Sequence, residues 1–413
     1  MSSASAQPAQ TAMATRASAR ASDPASTPSG QLTLITEPQD GIAPVLSAVR
    51  GARHEVEMVM YEDDDRRVDS ALVADAHRGV AVRVLLNGGY DGQGFAPDQA
   101  AYDYLQGRGV PVRWTASYFA LTHQKSLIVD GRAYILTFNL TPEYYASSRD
   151  FGVIDTIAAD DAAVEQTFAA DWDRRRISAP AGRDLVWSPG AQSALVGLIA
   201  SAAGWVDVYN EEMDSPAIEG ALGADARRGV DVRVTMTADS SWDSAFAQLT
   251  AAGVHVRTYA GDAALYIHAK MILTSARVFL GSENFSVDSL SRNRELGLIT
   301  SDATIRAALS RTFDADYANA KPFGGAPGAG GGVSASARCA AVASYDSRYD
   351  DWDVYVHSNQ PDATVTVTDS AGASASYHTN ASGYADVYLT APASAAGQPL
   401  TVQAGQATCT STL

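Results

Sequence analysis

Cysteine, positive charge and long apolar runs are all scarce in this sequence of 413 residues. No apolar run approaches the roughly 20 residues that a transmembrane helix needs, so we expect no membrane-spanning segment. Only 30 Lys and Arg oppose 47 Asp and Glu, which gives a formal net charge of −17. General polyanion binders depend on many basic side chains that release phosphate counterions, so we expect no nucleic-acid partner.

The two cysteines, Cys339 and Cys409, bracket the last segment of the chain. One cysteine pair around one small domain predicts a disulfide and an oxidising compartment, and the alternative is two unpaired thiols. We therefore expect a secreted or cell-envelope protein. No apolar secretory segment is visible after Met1, so export would need a signal already removed or a start site further upstream.

What the sequence does contain is a stretch of thirty-odd residues that occurs twice. The second copy follows the first at a constant offset of 145 positions. The repeated residues are His123 and His268, Lys125 and Lys270, Asn139 and Asn284, and the acids Asp150 and Glu295. A single H-x-K is uninformative, but four polar positions repeated in register predict a duplicated half-site.

The duplication extends beyond these residues to whole lobes. Residues 70–84 are mirrored by residues 220–234, and segments with helical and strand spacing alternate through both halves. Such alternation is typical of a mixed sheet flanked by helices. The predicted fold class is α/β, with two duplicated α/β/α sandwich lobes, 31–180 and 181–321, that form a pseudo-dimer.

Three further segments lie outside the lobes. Residues 1–30 are rich in Ala, Ser, Thr and Pro, and we predict disorder because they bury too little apolar surface to offset their ordering entropy. Residues 322–333 have the Gly, Pro and Ala composition of a flexible linker. Residues 334–413 contain short segments of period two separated by turn residues, which predict a small antiparallel β-sandwich stabilised by its disulfide.

The repeated residues suit the chemistry of a phosphodiester. A His and a Lys two positions apart on a strand point to the same face, so two lobes related by a pseudo-twofold would gather two His, two Lys and two Asn around one point. The lysines and amides can hold the phosphate oxygens, while one imidazole attacks phosphorus and the other transfers the proton. The two acids would orient the imidazoles. We expect neither a metal nor another cofactor, because the lysines supply the positive charge.

This pattern resembles the phospholipase D superfamily in its two-motif form. The resemblance rests on H-x-K-x4-D, a downstream G-S-x-N and a later acid, and it spans residues 31–320. In that family the N-terminal motif supplies the nucleophile, so the resemblance implies that His123 is the nucleophile and His268 the general acid and base. The resemblance also implies the catalytic set His123, Lys125, Asn139, Asp150, His268, Lys270, Asn284 and Glu295.

The chain departs from the family pattern at two places. Residues 136–139 read Leu-Thr-Phe-Asn where G-S-x-N is expected, and Ser275 replaces the Asp that stands as Asp130 in the first copy. The hydroxyl position survives in both copies, so we assign Thr137 and Ser282 to substrate binding. Tyr61 and Tyr209 close equivalent strands and are further candidates for substrate contact, although core packing is an equally good interpretation.

We expect a phosphoric diester hydrolase similar to phospholipase D, acting on phospholipid head groups with water or an alcohol as acceptor. A monomer with peripheral membrane contact would fit the sequence. Two alternatives stay open: a metal-independent endonuclease of the same superfamily, and a non-catalytic binding protein whose site has decayed. The sequence does not define the preferred head group.

Overall fold

The computed structural model of the chain describes residues 30–324, 339–346, 351–358, 363–378 and 384–413. The predicted disorder of residues 1–29 and nearly all of the predicted linker lie outside the described residues. No helix within the described ranges is both long and apolar enough to cross a membrane.

The first lobe is built on one mixed sheet. Its elements are β1 Leu32–Glu37, α1 Ala43–Gly51, β2 Glu55–Met60, α2 Arg66–His77, β3 Ala81–Leu86, α3 Gln99–Gln106, β4 Val112–Trp114, β5 Ser126–Val129, β6 Ala133–Leu136, β7 Ser148–Asp155 and α4 Ala158–Trp172. The strands lie in the order β1-β7-β6-β5-β2-β3-β4. Strands β2, β3 and β4 are parallel and the remaining pairs are antiparallel.

The second lobe repeats this plan. Its elements are β8 Leu185–Ser188, α5 Ala191–Ala200, β9 Trp205–Tyr209, β10 Met213–Asp214, α6 Pro216–Arg227, β11 Asp231–Thr237, α7 Asp243–Ala251, β12 His255–Tyr259, β13 Tyr266–Ile267, β14 Lys270–Thr274, β15 Val278–Gly281, β16 Phe285–Ser286, α8 Val287–Ser291, β17 Glu295–Thr300, α9 Ala303–Asn319 and β18 Lys321–Pro322. The main sheet has the order β18-β12-β11-β9-β14-β15-β17-β8.

The two sheets face each other across a shared apolar core. Each strand alternates its side chains between two faces, so β6 places Leu136 in the outer core of its lobe and Ile135 in the core between the lobes. In lobe 2, β15 likewise divides Phe279 and Leu280 between an outer and the shared core. Helices α4 and α9 complete the shared core. The predicted pseudo-dimer of two α/β lobes is therefore confirmed.

Short backbone pairings tie each lobe to the motif of the other. Strand β13, which leads into the second H-x-K, pairs in parallel with the start of β7 in lobe 1. An isolated bridge between Thr122 and Arg294 makes the equivalent link on the opposite side. Because the bridge connects positions that are 145 residues away from those in the β13 pair, the duplication includes the contact between the lobes as well as the lobes themselves.

The C-terminal segment contains β19 Cys339–Asp346, β20 Asp351–Ser358, β21 Thr364–Asp369, β22 Ser374–His378, β23 Tyr384–Leu389, β24 Pro399–Ala404 and β25 Ala407–Thr412. They form two antiparallel sheets, β19-β20-β23 and β22-β21-β24-β25, around one apolar core. A disulfide joins Cys339 of β19 to Cys409 of β25 across a Cα–Cα distance of 5.6 Å. Both the predicted β-sandwich and the predicted pairing of the cysteines are present.

The end of lobe 2 lies further along the chain than we predicted. Lys321 and Pro322 pair with the edge strand β12, and the ring of Phe323 packs against Phe246 with centroids 5.3 Å apart. The amide of Phe323 also donates to the carbonyl of Val256. We placed Pro322 in the linker because of its composition, but a sheet edge tolerates a residue without an N–H. Residues 322 and 323 therefore belong to lobe 2.

Candidate active site

The two H-x-K segments meet at the seam between the lobes. The amide of His123 donates to the carbonyl of Arg294 at 2.9 Å, and the amide of His268 lies 3.3 Å from the carbonyl of Arg149. Each anchor therefore belongs to the opposite lobe. In both segments the side chain two residues further on is a fully buried lysine.

Each histidine is bonded to the acid of the opposite lobe. Nδ1 of His123 lies 2.9 Å from Oε2 of Glu295, and Nδ1 of His268 lies 2.9 Å from Oδ1 of Asp150. The pairing is crossed because each acid directly follows the residue that anchors the other lobe's histidine. A carboxylate in this position fixes the tautomer and orientation of an imidazole and supports its charged form.

The surroundings of His123 determine which ring nitrogen is available for chemistry. Its Nδ1 also lies 3.1 Å from the carbonyl oxygen of Ser282, so it faces two acceptors and carries the proton. Nε2 is then the nitrogen with a free lone pair. Burial lowers the pKa of His123 despite the opposing effect of Glu295, so the ring is neutral near pH 7. Burial alone would raise the pKa of Glu295, but its interaction and hydrogen bond with His123, together with the nearby Lys125, outweigh burial and lower that pKa.

The two hydroxyls that we predicted to bind substrate instead form hydrogen bonds with the acids Asp150 and Glu295. Thr137 and Ser282 are almost completely buried, at 1% and 0% exposure. Thr137 donates to Asp150 at 2.6 Å and Ser282 donates to Glu295 at 2.7 Å. The substrate-binding role that we predicted for them is therefore wrong, because neither hydroxyl reaches open space. Both hydroxyls position the carboxylates that orient the histidines.

The missing glycine of the first motif has a steric explanation. In lobe 2, Gly281 and Gly297 leave room for the carboxyl group of Glu283, which a Cβ on either glycine would touch. In lobe 1, the side chain of Leu136 itself extends over the equivalent Gly152. Lobe 1 has Phe138 where lobe 2 has Glu283. The space beside Gly152 therefore receives no carboxyl group, and the side chain of Leu136 fills it instead.

The two lysines have different neighbours although their positions are equivalent. Lys125 Nζ donates to the carbonyl of His123 at 2.8 Å and lies 4.8 Å from the ring centre of Tyr61. Lys270 Nζ donates to the carbonyl of His268 at 2.6 Å and forms an ion pair of 3.0 Å with Glu211. Burial, followed by repulsion from Lys270, lowers the pKa of Lys125 to about 7.

Three glutamates, Glu62, Glu211 and Glu212, complete the site. The Asn139 amide donates to Glu62 at 3.2 Å, and the Asn284 amide donates to Glu212 at 3.0 Å and to Glu211 at 3.3 Å. These glutamates come directly after the central strands β2 and β9. Ligands of mixed α/β sheets commonly lie at the carboxyl ends of such strands, and that rule could have identified them.

The two tyrosines that we proposed as substrate contacts differ in their exposure. Tyr61 is half-buried and its ring meets that of His123 edge-on at 4.5 Å. Tyr209 has no exposed surface, its hydroxyl donates to Asp316 at 2.7 Å, and its ring packs against Phe313. The prediction for Tyr209 is therefore wrong. The residue equivalent to Tyr61 is Glu211, 150 positions later, because the loop before the first motif is five residues longer than its counterpart.

Two buried ion pairs that sequence reasoning missed hold the crossed arrangement together. Arg149 of lobe 1 pairs with Asp316 of lobe 2 at 2.6 Å, and Arg294 of lobe 2 pairs with Asp171 of lobe 1 at 2.9 Å. Each arginine directly precedes an acid that contacts a histidine of the site. Both aspartates recur at the same offset of 145, and that register was the available signal.

The aspartate lost from the second motif lies outside the site. Asp130 caps three backbone amides, those of Arg53, His54 and Glu55, at 2.8–3.1 Å. Ser275 takes its place in lobe 2 and donates to the carbonyl of Ala203 at 3.0 Å. The substitution therefore changes a turn and leaves the histidine and lysine pairs untouched. Within the described part of the chain, no three His, Cys, Asp or Glu side chains are placed to hold a metal ion.

The arrangement can hold and attack a tetrahedral anion. Lys125, Lys270 and the two Asn amides are donors for phosphate oxygens, and the two imidazoles approach from opposite lobes. One imidazole has a free Nε2, and the other is supported in its charged form by Asp150. A nucleophile and a proton donor on opposite sides of one centre are what a two-step displacement requires.

Comparisons with known proteins agree with this site. The family model described as "Cardiolipin synthase, PLD-like domain" matches residues 45–172 and 195–317, once in each lobe. Cardiolipin synthase A of Yersinia pseudotuberculosis serotype O:1b (strain IP 31758) is 25% identical over 342 residues, which cover 70% of this chain and 69% of that protein. Cardiolipin synthase A of Yersinia pestis matches to the same extent.

Solved structures share the fold. Phosphatidylserine synthase of Haemophilus influenzae Rd KW20 superposes with a TM-score of 0.57 at 11% identity, covering 71% of this chain and 87% of that one. Polyphosphate kinase of Porphyromonas gingivalis gives a TM-score of 0.55 at 14% identity, covering 68% of this chain and 46% of that one. The family match extends over more than half of the sequence and includes both copies of the motif. The chain therefore belongs to the cardiolipin synthase-type family of phospholipase D-like proteins.

Proposed function

We propose that the protein is a phosphodiesterase that cleaves phospholipid head groups through a covalent phosphohistidine on His123. The observation that carries the proposal is the crossed pair of His–acid contacts at the seam, each 2.9 Å long. The pair places two imidazoles, each held by a carboxylate of the opposite lobe, on either side of a cluster of lysine and asparagine donors. The head-group alcohol is replaced by water, or by another alcohol, in two displacement steps.

In the first step, Nε2 of His123 attacks phosphorus and the bond from phosphorus to the head-group oxygen breaks. Protonated His268 gives its proton to that oxygen, so the alcohol leaves neutral. In the second step, the now neutral His268 takes a proton from water or an acceptor alcohol, whose oxygen attacks phosphorus and breaks the phosphorus–nitrogen bond. The product is a phosphatidic acid or a new phosphodiester, and both histidines return to their starting states.

Two features support the assignment of the nucleophile to His123. Burial lowers its pKa, which keeps the attacking imidazole neutral, and its Nδ1 proton is engaged by two acceptors. His268 lines an open pocket where a leaving alcohol can sit. The two buried lysines stabilise the negative charge of the transition state.

The phospholipid substrate class is supported by the family and by the charge of the chain. The curated relatives reported above are named as cardiolipin synthases. A net charge of −17 is unfavourable for a nuclease, whose backbone contacts rely on basic side chains. The Cys339–Cys409 disulfide supports a secreted or cell-envelope location. Metal independence and a monomeric state stay predictions.

The test is incubation of the full chain with mixed vesicles of phosphatidylcholine, phosphatidylethanolamine and phosphatidylglycerol, in excess EDTA. Addition of ethanol distinguishes transfer from hydrolysis, because transfer to ethanol gives phosphatidylethanol and hydrolysis gives phosphatidic acid. Plasmid DNA is incubated in parallel. We expect lipid products that disappear in His123→Ala and intact plasmid. Plasmid cleavage without lipid cleavage would favour the nuclease alternative, and the absence of both would favour a decayed site.

A further inference from the structure

A second pocket, of about 810 Å³, is formed by other parts of both lobes. Its walls include the loop before the first motif, the segment that joins the lobes and the first strand of lobe 2, at residues 117–120, 176–179 and 185–187. None of the histidines, lysines, asparagines or acids of the candidate active site lines it. Its volume is in the range of roughly 300–1,000 Å³ that is usual for sites of small organic ligands.

The charged side chains that line this pocket are all basic. They are Arg176, Arg292 and Arg294, and no Asp or Glu is among the lining residues. The chain as a whole has the opposite balance, with 47 acidic and 30 basic residues. The smaller pocket beside His268 follows that balance, since four carboxylates and no Lys or Arg line it. The larger pocket, which we call the basic pocket, is therefore suited to an anion.

Two of the three arginines are available to a ligand. Arg294 is buried, and its guanidinium pairs with Asp171 at 2.9 Å. Arg292 is exposed and pairs with the exposed Asp288, and ion pairs of this kind at a surface contribute little energy. Arg176 is exposed and forms no ion pair within the described part of the chain. A ligand can therefore take the charges of Arg176 and Arg292 without breaking a buried pair.

Aromatic rings form another part of the wall. The rings of Tyr118 and Phe119 meet edge-on with their centroids 4.7 Å apart, and Trp187 also lines the pocket. The guanidinium of Arg176 lies 4.7 Å from the ring centre of Tyr118, and that of Arg294 lies 4.2 Å from the ring centre of Phe119. Rings and guanidinium groups alternate on one surface, so an anion that carries hydrocarbon fits this surface better than a free inorganic anion does.

The rim of the basic pocket carries exposed apolar side chains. Tyr90, which lines the pocket, is 72% exposed, and Val287 is 52% exposed. Val287 lies four residues before the lining residue Ser291 in α8, so the two side chains share one side of that helix. Tyrosine is enriched where proteins meet the membrane–water interface, and arginines there attract anionic lipids. The rim therefore has the character of a surface that contacts a membrane.

We propose that the basic pocket is a second, non-catalytic lipid site that holds the phosphate head group of an anionic membrane lipid. Arg176 and Arg292 bind the phosphate, the aromatic wall contacts the adjoining hydrocarbon, and Tyr90 and Val287 enter the interface. The lipid held there is not cleaved, because neither histidine of the active site lines the pocket. The site holds the protein on anionic membranes, and its existence does not depend on the proposed function.

The test measures co-sedimentation of the full chain with vesicles of digalactosyldiacylglycerol, with and without phosphatidic acid as a minor component. Neither lipid is a phosphodiester, so the proposed activity does not alter the vesicles. We expect the wild type to bind the vesicles with phosphatidic acid about 10-fold or more tightly than the neutral vesicles. Arg176→Gln and Arg292→Gln should each lower that affinity about fivefold, the effect of one basic side chain at an anionic surface. Arg311→Gln removes an equal charge from the exposed side of α9 and should leave the affinity unchanged.

A competition experiment distinguishes a lipid head group from a free anion. Soluble dihexanoyl phosphatidic acid should displace the protein from the vesicles, whereas inorganic phosphate at the same concentration should not, because it offers no hydrocarbon to the aromatic wall. Equal binding to both kinds of vesicle, equal losses in Arg176→Gln and Arg311→Gln at matched melting temperatures, or equal displacement by the two competitors would each overturn the lipid site. These outcomes leave the proposed function standing, and failure to cleave any lipid leaves this site standing.

Discussion

The two half-sites share a backbone plan and differ in charge. Both place a fully buried lysine two residues after a histidine, and both place an Asn amide beside a glutamate. In lobe 1 the lysine lies over the ring of Tyr61, and in lobe 2 the equivalent lysine forms an ion pair with Glu211. In the proposed mechanism, this one exchange at the carboxyl end of the central strand distinguishes the half-site that attacks from the half-site that faces the leaving group.

This difference shows how a duplicated fold can perform an asymmetric reaction. The pseudo-twofold supplies two imidazoles, but a displacement needs one neutral nucleophile and one proton donor. Burial beside Glu295 keeps His123 neutral, whereas His268 lines a pocket together with Glu62 and Glu211. The division of labour comes from neighbours that the duplication did not preserve.

The largest effect expected is at the two histidines. His123→Ala removes the atom that bonds to phosphorus and should lower activity by about 10⁵-fold or more on every substrate. His268→Ala removes only the proton donor, so a nitrophenyl diester with a good leaving group should recover about 10²–10⁴-fold of the loss in the first turnover. Rapid measurement of the nitrophenolate burst tests the difference. Equal loss and equal rescue in both variants would contradict the asymmetry.

The crossed acids give the next largest effect. Glu295→Gln should slow attack by His123 by about 10²–10⁴-fold on all substrates, as loss of an orienting carboxylate does elsewhere. Asp150→Asn acts on His268, so its burst with the nitrophenyl diester should be largely preserved. Burst amplitudes for the two variants, at matched melting temperatures, provide the measurement. The opposite pattern would mean that His268, the partner of Asp150, is the nucleophile.

The pH profile tests the unusual lysine of lobe 1. Lys125 has a pKa of about 7, so it is charged below that pH and becomes neutral as the pH rises through it. We expect kcat/KM to fall above pH 7 by up to about tenfold per pH unit, because the free enzyme loses a phosphate-binding cation. Lys125→Arg, which stays charged, should move this fall to higher pH. A profile that is flat from pH 7 to 9 would argue against the lowered pKa.

The smallest effect concerns the boundary of lobe 2. A chain ending after Gly324 keeps the contact between Phe323 and Phe246 and should retain both the melting temperature of the lobes and activity on soluble diesters. A chain ending after Ala320 loses that ring and β18, and its melting temperature should be lower by about 5 °C or more. Thermal unfolding of the two truncations decides the matter. Identical unfolding curves for the two truncations would mean that lobe 2 ends at residue 321, as we predicted from the sequence.

Much of the fold and of the candidate site could be predicted because the duplication provides an internal alignment. His123, Lys125 and their partners 145 residues later are identified by register alone. The crossing of Asp150 and Glu295 could not be predicted, because partner choice depends on how two lobes dock. Tyr209 was misplaced because it was matched to Tyr61 as the aromatic residue closing the strand, whereas the offset of 150 that applies there pairs Tyr61 with Glu211. Glu211 could have been identified only by its position after a central strand and by the offset of 150 from Tyr61, because no repeated residue type marks it.

The most direct test of the account is the identity of the residue that carries the phosphoryl group. Acid hydrolyses the phosphorus–nitrogen bond of a phosphohistidine. Turnover of a labelled diester should therefore be stopped in alkaline denaturant, and the peptides should be analysed by mass spectrometry. We predict that His123 carries the phosphoryl group, still esterified to the retained alcohol, in the wild type and that this adduct accumulates in His268→Ala, because deprotonation of the acceptor is then slow. A label on His268 would reverse the roles of the two lobes. No label on either histidine during fast turnover would contradict the covalent mechanism.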